Sequence, residues 1–268
     1  ICDCLPDSMI DTENIKTLIT KKTRAIMPTQ LNGRMCDMEA ILEICKDNDL
    51  KLIEDSCQAL GAKYNNKYAG LFGVAGSFSF FPAKTLGCFG DGGAVVSNNK
   101  NVAEYIYKLR DHGRDKNGEV SFFGYNGRLD NLQAAILNFK LKKYDTYIQK
   151  RRHIAKIYSE RLKDIESLIL PPGPNDDLKR FDVFQNYEIQ ADNRDQLRQF
   201  LIENEIGTLL QWSGWMLHQF KELNLKSNLS FADKFVKKYI MLPMNNYLTE
   251  DQVNYVCDKI IQFYSMKS

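Results

Sequence analysis

Hydrophobic and polar positions follow a regular order along most of the chain, and the order is clearest over residues 24–55. The runs RAIMPTQ (24–30) and KLIED (51–55) are short and apolar, which predicts two buried strands. Between them, apolar residues recur at helical spacing after Asp37, a favoured N-cap residue, and this pattern ends near Asn48. A strand–helix–strand unit implies parallel strands with a right-handed crossover, so an α/β fold is predicted.

The same patterns predict the other elements of the chain. Strands are predicted at 74–81, 93–97, 183–190 and 209–211, and helices at 100–111, 130–162, 194–203 and 249–264, the long one broken near 143–146. A polar, glycine-rich loop is predicted at 111–128. We place a domain boundary after residue 148, between a large domain with a mainly parallel sheet (1–148) and a smaller α+β domain (149–268).

Composition and charge exclude several classes of protein. The chain has 268 residues, of which 44% are hydrophobic and 26% charged, as in ordinary globular proteins. A formal net charge of +2 gives no bulk attraction to nucleic acid or to an anionic membrane. The seven cysteines are scattered without a CxxC pair, and three dispersed histidines do not suggest a metal cluster. We therefore expect reduced thiols, no metal site and a cytoplasmic protein.

One lysine lies in an unusual setting. Lys84 interrupts an apolar, strand-like run and precedes the glycine turn at 90–93. A lysine amine is nucleophilic only when it is neutral, which an apolar setting favours, and aromatic residues surround this position. From this stretch alone, however, a lysine whose stem packs on aromatic rings while its ammonium stays in water is the favoured interpretation.

The residues around the predicted strand ends are open to similar alternatives. Asp55 ends a strand, where ligands of open α/β sheets bind, and a carboxylate there could hold a protonated cofactor nitrogen. Taken alone, a turn or helix-cap role for Asp55 is favoured. Gln58 and Ser79 are uninformative individually. The glycines at 90–93 do not match GxGxxG and instead suggest a tight turn close to the site.

Taken together, four segments change these interpretations. EDSCQALGAKY (54–64), SFSFFPAKTLGCFGDGGAVVS (77–97), HGR (112–114) and GYNGRLDNLQAAIL (124–137) occur in an order and spacing that strongly resemble one family. It is the DegT/DnrJ/EryC1/StrS family of sugar aminotransferases, which are pyridoxal 5′-phosphate (PLP) enzymes of the aspartate-aminotransferase fold, type I. The resemblance is strongest before residue 160.

The resemblance implies a role for each of five residues. Lys84 matches the lysine that forms the internal aldimine with PLP, and Asp55 matches the carboxylate that keeps the pyridine nitrogen protonated. Gln58 matches a residue at the ring face or phenolic oxygen, and Ser79 matches a phosphate ligand. Asn126 matches a residue that reaches the phosphate in the neighbouring subunit, which implies a homodimer with shared active sites.

The resemblance also implies the reaction. We expect an amino group to move, with glutamate as its usual donor, through the Lys84 aldimine and pyridoxamine phosphate to a nucleotide-linked keto-deoxy sugar. Such products serve deoxyamino-sugar and polysaccharide biosynthesis. One branch of the family has histidine at this position and dehydrates sugars, so lysine favours transamination. The alternatives are a sugar dehydratase of the same fold or a non-catalytic truncated remnant, since relatives carry a segment before the position of Ile1.

Candidate substrate contacts lie farther along the chain. Arg128 and His112 could meet the sugar diphosphate, although each could equally be structural. Trp212, Trp215 and His218 fall in a region where relatives often have a substrate-contacting loop, which makes them candidates for sugar or base contact. The alternative is that the tryptophans belong to the core of the small domain and that His218 lies on the surface.

Overall fold

A computed structural model of the protein describes residues 1–225 and 227–266. The α-helices in this part of the chain are α1 (Thr12–Leu18), α2 (Met38–Asp47), α3 (Lys100–Leu109), α4 (Asn131–Leu141), α5 (Tyr144–Leu162), α6 (Arg194–Glu203), α7 (Ala232–Phe235) and α8 (Glu250–Ser265). The strands are β1 (Ala25–Ile26), β2 (Lys51–Asp55), β3 (Lys63–Tyr64), β4 (Lys67–Tyr68), β5 (Ala75–Ser79), β6 (Gly93–Val96), β7 (Leu168–Ile169), β8 (Arg180–Phe181), β9 (Tyr187–Ala191) and β10 (Tyr239–Leu242). None of the described helices is both long and apolar enough to cross a membrane.

The first large sheet has the strand order β1-β2-β5-β6. β1 pairs with β2 and β2 with β5 in parallel, whereas β6 joins the edge antiparallel to β5. Helix α2 connects β1 to β2, and the Asp37 carboxylate accepts from the backbone N–H of Ala40 at its N-terminus. The predicted strand–helix–strand unit and its N-cap are therefore confirmed.

The prediction that these strands are buried holds for one face only. Along β2, Leu52 and Glu54 point into the core, while the side chain of Ile53 is 37% exposed. Met27, just after β1, is 65% exposed. Side chains alternate between the faces of a strand, and in the described structure only one face of these strands packs against a core.

The smaller sheet has the order β10-β9-β7 and is antiparallel throughout. Helices α5, α6 and α8 pack around it, and the predicted limits of α6 are confirmed. Thr249 and Gln252 form a capping box at the start of α8. The bounds of α8 differ by one residue at each end from the helix predicted at 249–264. Residues 209–211 form only an isolated bridge, from Leu209 to Met241, and not the predicted strand.

Two hydrophobic cores meet along α5. Tyr144 and Ile148 belong to a core shared with α2 and β2, whereas Ile154 and Tyr158 belong to a core shared with α6, β9 and α8. The helix predicted at 130–162 breaks at residues 142–143, at the start of the predicted interval 143–146. The domain boundary after residue 148 remains a prediction, which this change of core supports.

Candidate active site

The candidate site lies where two neighbouring parallel strands end. Asp55 is the last residue of β2 and pairs with Ser77 of β5, and Ser79 ends β5 two residues later. The carboxyl ends of parallel strands share one edge of a sheet, so Asp55, Ser77 and Ser79 all lie near that edge. Lys84 follows in the loop between β5 and β6.

Asp55 is half-buried and only partly hydrogen-bonded. Its Oδ1 accepts from the backbone N–H of Cys57 at 3.1 Å, and its Oδ2 accepts from Thr29 Oγ1 at 3.4 Å. Glu54 points to the opposite face, where three backbone N–H groups of residues 70–73 hold its carboxylate. Because side chains alternate between the two faces of β2, the Glu54 carboxylate lies in the core, whereas the Asp55 carboxylate retains lone pairs that can accept from a ligand.

Lys84 and Asp55 both influence the charge of the Cys57 thiol. Burial raises the pKa of Cys57 to about 11; the Asp55 carboxylate adds to this rise and the Lys84 ammonium opposes it. Of the two groups, the carboxylate contacts Cys57 directly, through the hydrogen bond from the Cys57 backbone N–H to Asp55 Oδ1. Lys84 is half-buried. Its ammonium forms no ion pair with any of the described residues, so no acidic side chain among them holds the amine away from a ligand.

The apolar setting predicted around Lys84 is only partly formed. Leu86 is buried, but Phe81 and Phe89 are 49% and 73% exposed. The backbone of the loop is nevertheless tightly folded: the N–H of Phe80 donates to the carbonyl of Gly92 at 2.7 Å. A Cβ added to Gly92 would lie 2.9 Å from Cys88 Sγ, so a larger residue would crowd the Cys88 side chain at this position. This close approach agrees with the predicted tight turn.

Gln58 is held by a network of amide side chains. Its Oε1 accepts from the backbone N–H of Asn32 at 2.8 Å and from Asn186 Nδ2 at 3.3 Å. Asn32 adopts a left-handed backbone conformation (φ 56°), and its Oδ1 accepts from Gln211 Nε2 at 3.1 Å. These bonds leave the Gln58 amino group as the donor available to a ligand.

The Ser79 hydroxyl remains able to donate. Its Oγ accepts from the backbone N–H of Phe81 at 3.3 Å, which places the hydroxyl at the start of the Lys84 loop. A hydroxyl hydrogen directed away from this bond is available to an anion such as a phosphate.

Asn126, His112 and Arg128 form a second group, around Asp111. Asn126 and Asp111 form an isolated antiparallel β-bridge through their backbones. Arg128 Nε lies 3.6 Å from Asp111 Oδ1, and the backbone N–H of His112 donates to the carbonyl oxygen of Tyr125. Asn126 and Arg128 are exposed. Within the part of the chain that the structure describes, no hydrogen bond or ion pair joins this group to Lys84. Their predicted roles therefore remain predictions.

The aromatic candidates behave differently from the histidine. Trp212 and Trp215 are 78% and 54% exposed, so the alternative that places them in the core of the small domain is wrong. The His218 side chain is only 8% exposed, and its Nε2 pairs with Asp233 at 2.9 Å. The alternative that places His218 on the surface is therefore also wrong, and its role as a substrate contact remains a prediction. Trp212 directly follows Gln211 of the amide network.

The side chains at the strand ends fit the cofactor that the resemblance implies. PLP requires an amine for its aldehyde, a carboxylate for its ring nitrogen and hydrogen-bond donors for its phosphate. Lys84, Asp55 and Ser79 supply this set from adjoining strand ends, and Gln58 adds a free amide donor. The sequence analysis did not identify Asn32 and Asn186 as residues of the site. Asn32 could have been noticed because it begins an Asn-Gly turn, and Asn186 because it is a polar residue within a predicted strand.

Comparison with known proteins decides the family. The sequence model of the DegT/DnrJ/EryC1/StrS aminotransferase family matches residues 1–261. The chain belongs to this family. The resemblance and the predicted type I fold of PLP-dependent transferases are thereby confirmed, since solved structures of the same family superpose closely on this chain.

The relatives include both enzymes and a protein named for regulation. The chain is 40% identical to a pleiotropic regulatory protein of Geobacillus stearothermophilus and 37% identical to the dTDP-3-amino-3,6-dideoxy-alpha-D-galactopyranose transaminase of Aneurinibacillus thermoaerophilus. Each match covers 95% of this chain and 69% of the relative. The solved structure of S. venezuelae DesV, in complex with a ketimine intermediate, aligns with a TM-score of 0.92 at 30% identity, covering 98% of this chain and 71% of DesV.

Proposed function

We propose that the protein is a PLP-dependent aminotransferase that moves an amino group from glutamate to a nucleotide-linked keto sugar. The observation that carries the proposal is the set of side chains at the carboxyl edge of the sheet: Asp55 ends β2, Ser79 ends the neighbouring parallel strand β5, and Lys84 follows in the next loop. The transaminase names among the relatives support the substrate class. The regulatory relative's name describes no reaction and does not bear on the chemistry.

Each side chain has a task that follows from its position. When bound, PLP supplies an electron sink that stabilises negative charge on the substrate carbon next to the nitrogen. The Asp55 carboxylate accepts the hydrogen bond of the protonated ring nitrogen and favours that charged form. The Lys84 Nζ would carry a proton from the donor carbon to the cofactor carbon, and in the second half of the reaction from the cofactor carbon to the carbon of the sugar acceptor. The Ser79 hydroxyl donates to the phosphate.

The proposal extends to the partner subunit and to the cell compartment. The exposed position of Asn126 supports a contact with a phosphate held by a second copy, in a homodimer with shared sites. All seven cysteines are free in the structure, which supports a reducing compartment such as the cytoplasm.

The test is product formation with isotopically labelled glutamate and a panel of nucleotide-linked 3-keto and 4-keto sugars. We expect labelled nitrogen in one amino sugar, and a rate lowered about a hundredfold to ten-thousandfold by Lys84→Ala, which removes the proton carrier. Lys142→Arg, at an exposed position beyond α4, is the control and should leave the rate unchanged. Release of water without consumption of glutamate would indicate a dehydratase instead.

A further inference from the structure

The Gln185 side chain forms hydrogen bonds on both sides of Lys84. Its Oε1 accepts from the backbone N–H of Thr85 and from Thr85 Oγ1, each at 2.7 Å. Its Nε2 donates to the carbonyl oxygen of Ala83 at 2.9 Å. One carboxamide thus binds the backbone immediately before and immediately after the lysine, much as a neighbouring strand would.

The two bonds to Thr85 lie away from solvent, whereas the bond to Ala83 is partly buried. Gln185 and Thr85 are each 8% exposed, so water cannot readily replace a bond lost between them. A buried donor or acceptor without a partner carries a desolvation penalty, and the backbone around Lys84 must move if the carboxamide is removed. A carboxamide suits this position because it combines a donor and an acceptor, which a carboxylate or a hydroxyl cannot present in the same geometry.

The backbone of Gln185 is itself anchored from the second core. Arg151 of α5 is 5% exposed, and its Nη1 donates to the carbonyl oxygens of Phe184 at 3.2 Å and Gln185 at 3.0 Å. Burial lowers the pKa of Arg151 to about 10, so its guanidinium keeps its charge at neutral pH. The next residue, Asn186, donates to Gln58. Residues 183–186 therefore join α5 to both Gln58 and the Lys84 loop.

We propose that Gln185 is a positioning residue that holds the Lys84 peptide so that the amine reaches the cofactor carbonyl carbon. The inference rests on the proposed function, because it presumes that Lys84 reacts with PLP. Gln185 does not touch the reacting atoms; it acts through Ala83 and Thr85. Its loss should therefore reduce reaction at the amine more than it reduces binding of the cofactor ring and phosphate.

The structure supplies a matched control in the same loop. Gln133 of α4 accepts from the backbone N–H of Phe89 at 2.8 Å and donates to the Phe89 carbonyl at 3.0 Å. It is a second carboxamide that binds loop backbone on both sides, but five residues beyond Lys84. Gln133→Leu removes hydrogen bonds to the loop at a distance from Lys84, and Gln185→Leu removes those next to it. A difference between the two variants therefore measures the contribution of the bonds that flank the lysine.

The experiment compares wild type, Gln185→Leu, Gln185→Glu and Gln133→Leu by two measurements. The first is the rate at which borohydride fixes a pyridoxyl group on Lys84 in the presence of PLP, located by peptide mass mapping. The second is the affinity for pyridoxamine phosphate, which has the ring and the phosphate but no aldehyde to react with lysine. Melting temperatures establish that each variant is folded.

We expect Gln185→Leu to lower the Lys84 labelling rate at least about tenfold, since misplacement of a reacting group by about 1 Å can cost a hundredfold. Affinity for pyridoxamine phosphate should change less than about twofold. Gln185→Glu keeps the acceptor for Thr85 and should recover part of the rate. Gln133→Leu should resemble wild type in both measurements.

Each contrary result has a distinct meaning. Wild-type labelling by Gln185→Leu would overturn the positioning role. An equal loss of labelling and of pyridoxamine phosphate binding would overturn it as well, because the residue would then be a general support of the site. Absence of a Lys84 adduct in the wild-type protein would overturn the proposed function, and the inference with it.

Discussion

Replacement of Glu54 by glutamine should destabilise the protein strongly, although the two side chains have nearly the same shape. Glu54 is fully buried. Its Oε1 accepts from the backbone N–H groups of Phe72 and Gly73, and its Oε2 accepts from the N–H of Gly70 and from Gln30 Nε2. All four partners are donors, and a glutamine amino group cannot accept from any of them.

The magnitude follows from counting these donors. Either orientation of the glutamine places its amino group against two N–H donors, which are then left without an acceptor. Bonds to a charged group contribute about 1.5–3 kcal/mol each, so the expected loss in the free energy of unfolding for two such bonds is about 3–6 kcal/mol. The loss is large because Glu54 joins β2 to residues 70–73, which carry two of the glycines that pass close to the sheet.

Urea denaturation provides the assay. We expect Glu54→Gln to lower the midpoint while the slope of free energy against urea stays constant, since the surface exposed on unfolding is unchanged. Glu43→Gln, an exposed position on α2, is the matched control and should change stability by less than about 0.5 kcal/mol. If the two variants have the same midpoint, the carboxylate does not support the loop as argued here.

Two further predictions concern Glu188 and Gly87. Burial raises the pKa of Glu188 above its usual 4.5, so the folded state retains this proton more strongly than the unfolded state and the stability that Glu188 contributes falls as pH rises above about 4.5. Glu188→Gln should therefore gain stability relative to wild type between pH 5 and pH 8 in urea denaturation, and a constant difference would refute this. Gly87→Ala would place a Cβ 2.5 Å from the Pro82 carbonyl oxygen, so we expect a loss of about 1–3 kcal/mol and slower Lys84 labelling. Gly207→Ala, with no atom within 4 Å of the added Cβ, is its control, and equal effects of the two would contradict the packing argument.

Local signals in the sequence were sufficient for several elements. Asp37 before α2 and Thr249 before α8 are side chains that cap their helices, and the apolar positions that follow have the period of a helix. The strand β2 and the placement of Asp55 at its end follow from a short apolar run and the topology of parallel sheets. Cap residues and periodicity act over a few residues, which is why they can be identified without the fold.

Other features depend on contacts between distant parts of the chain. The strand predicted at 183–190 begins at Tyr187, because residues 183–186 bond to the turn at Asn32 and to the Lys84 loop instead of to a neighbouring strand. The strand β10 was missed, although all four of its residues are buried against β9. The pairing of His218 with Asp233 likewise joins segments whose proximity no local pattern indicates.

The most direct test of the account is the identity of the lysine that reacts with PLP. The purified protein is incubated with PLP, reduced with borohydride and mapped by peptide mass spectrometry, with Lys84→Ala as the control. The position of Lys84 in the loop after β5, the strand that pairs with the end of β2 at Asp55, predicts a pyridoxyl group on Lys84 and a visible absorbance band that the Lys84→Ala variant lacks. A modified lysine elsewhere with Lys84 unmodified, or an unchanged band in the variant, would contradict the assignment of Lys84 as the reactive amine.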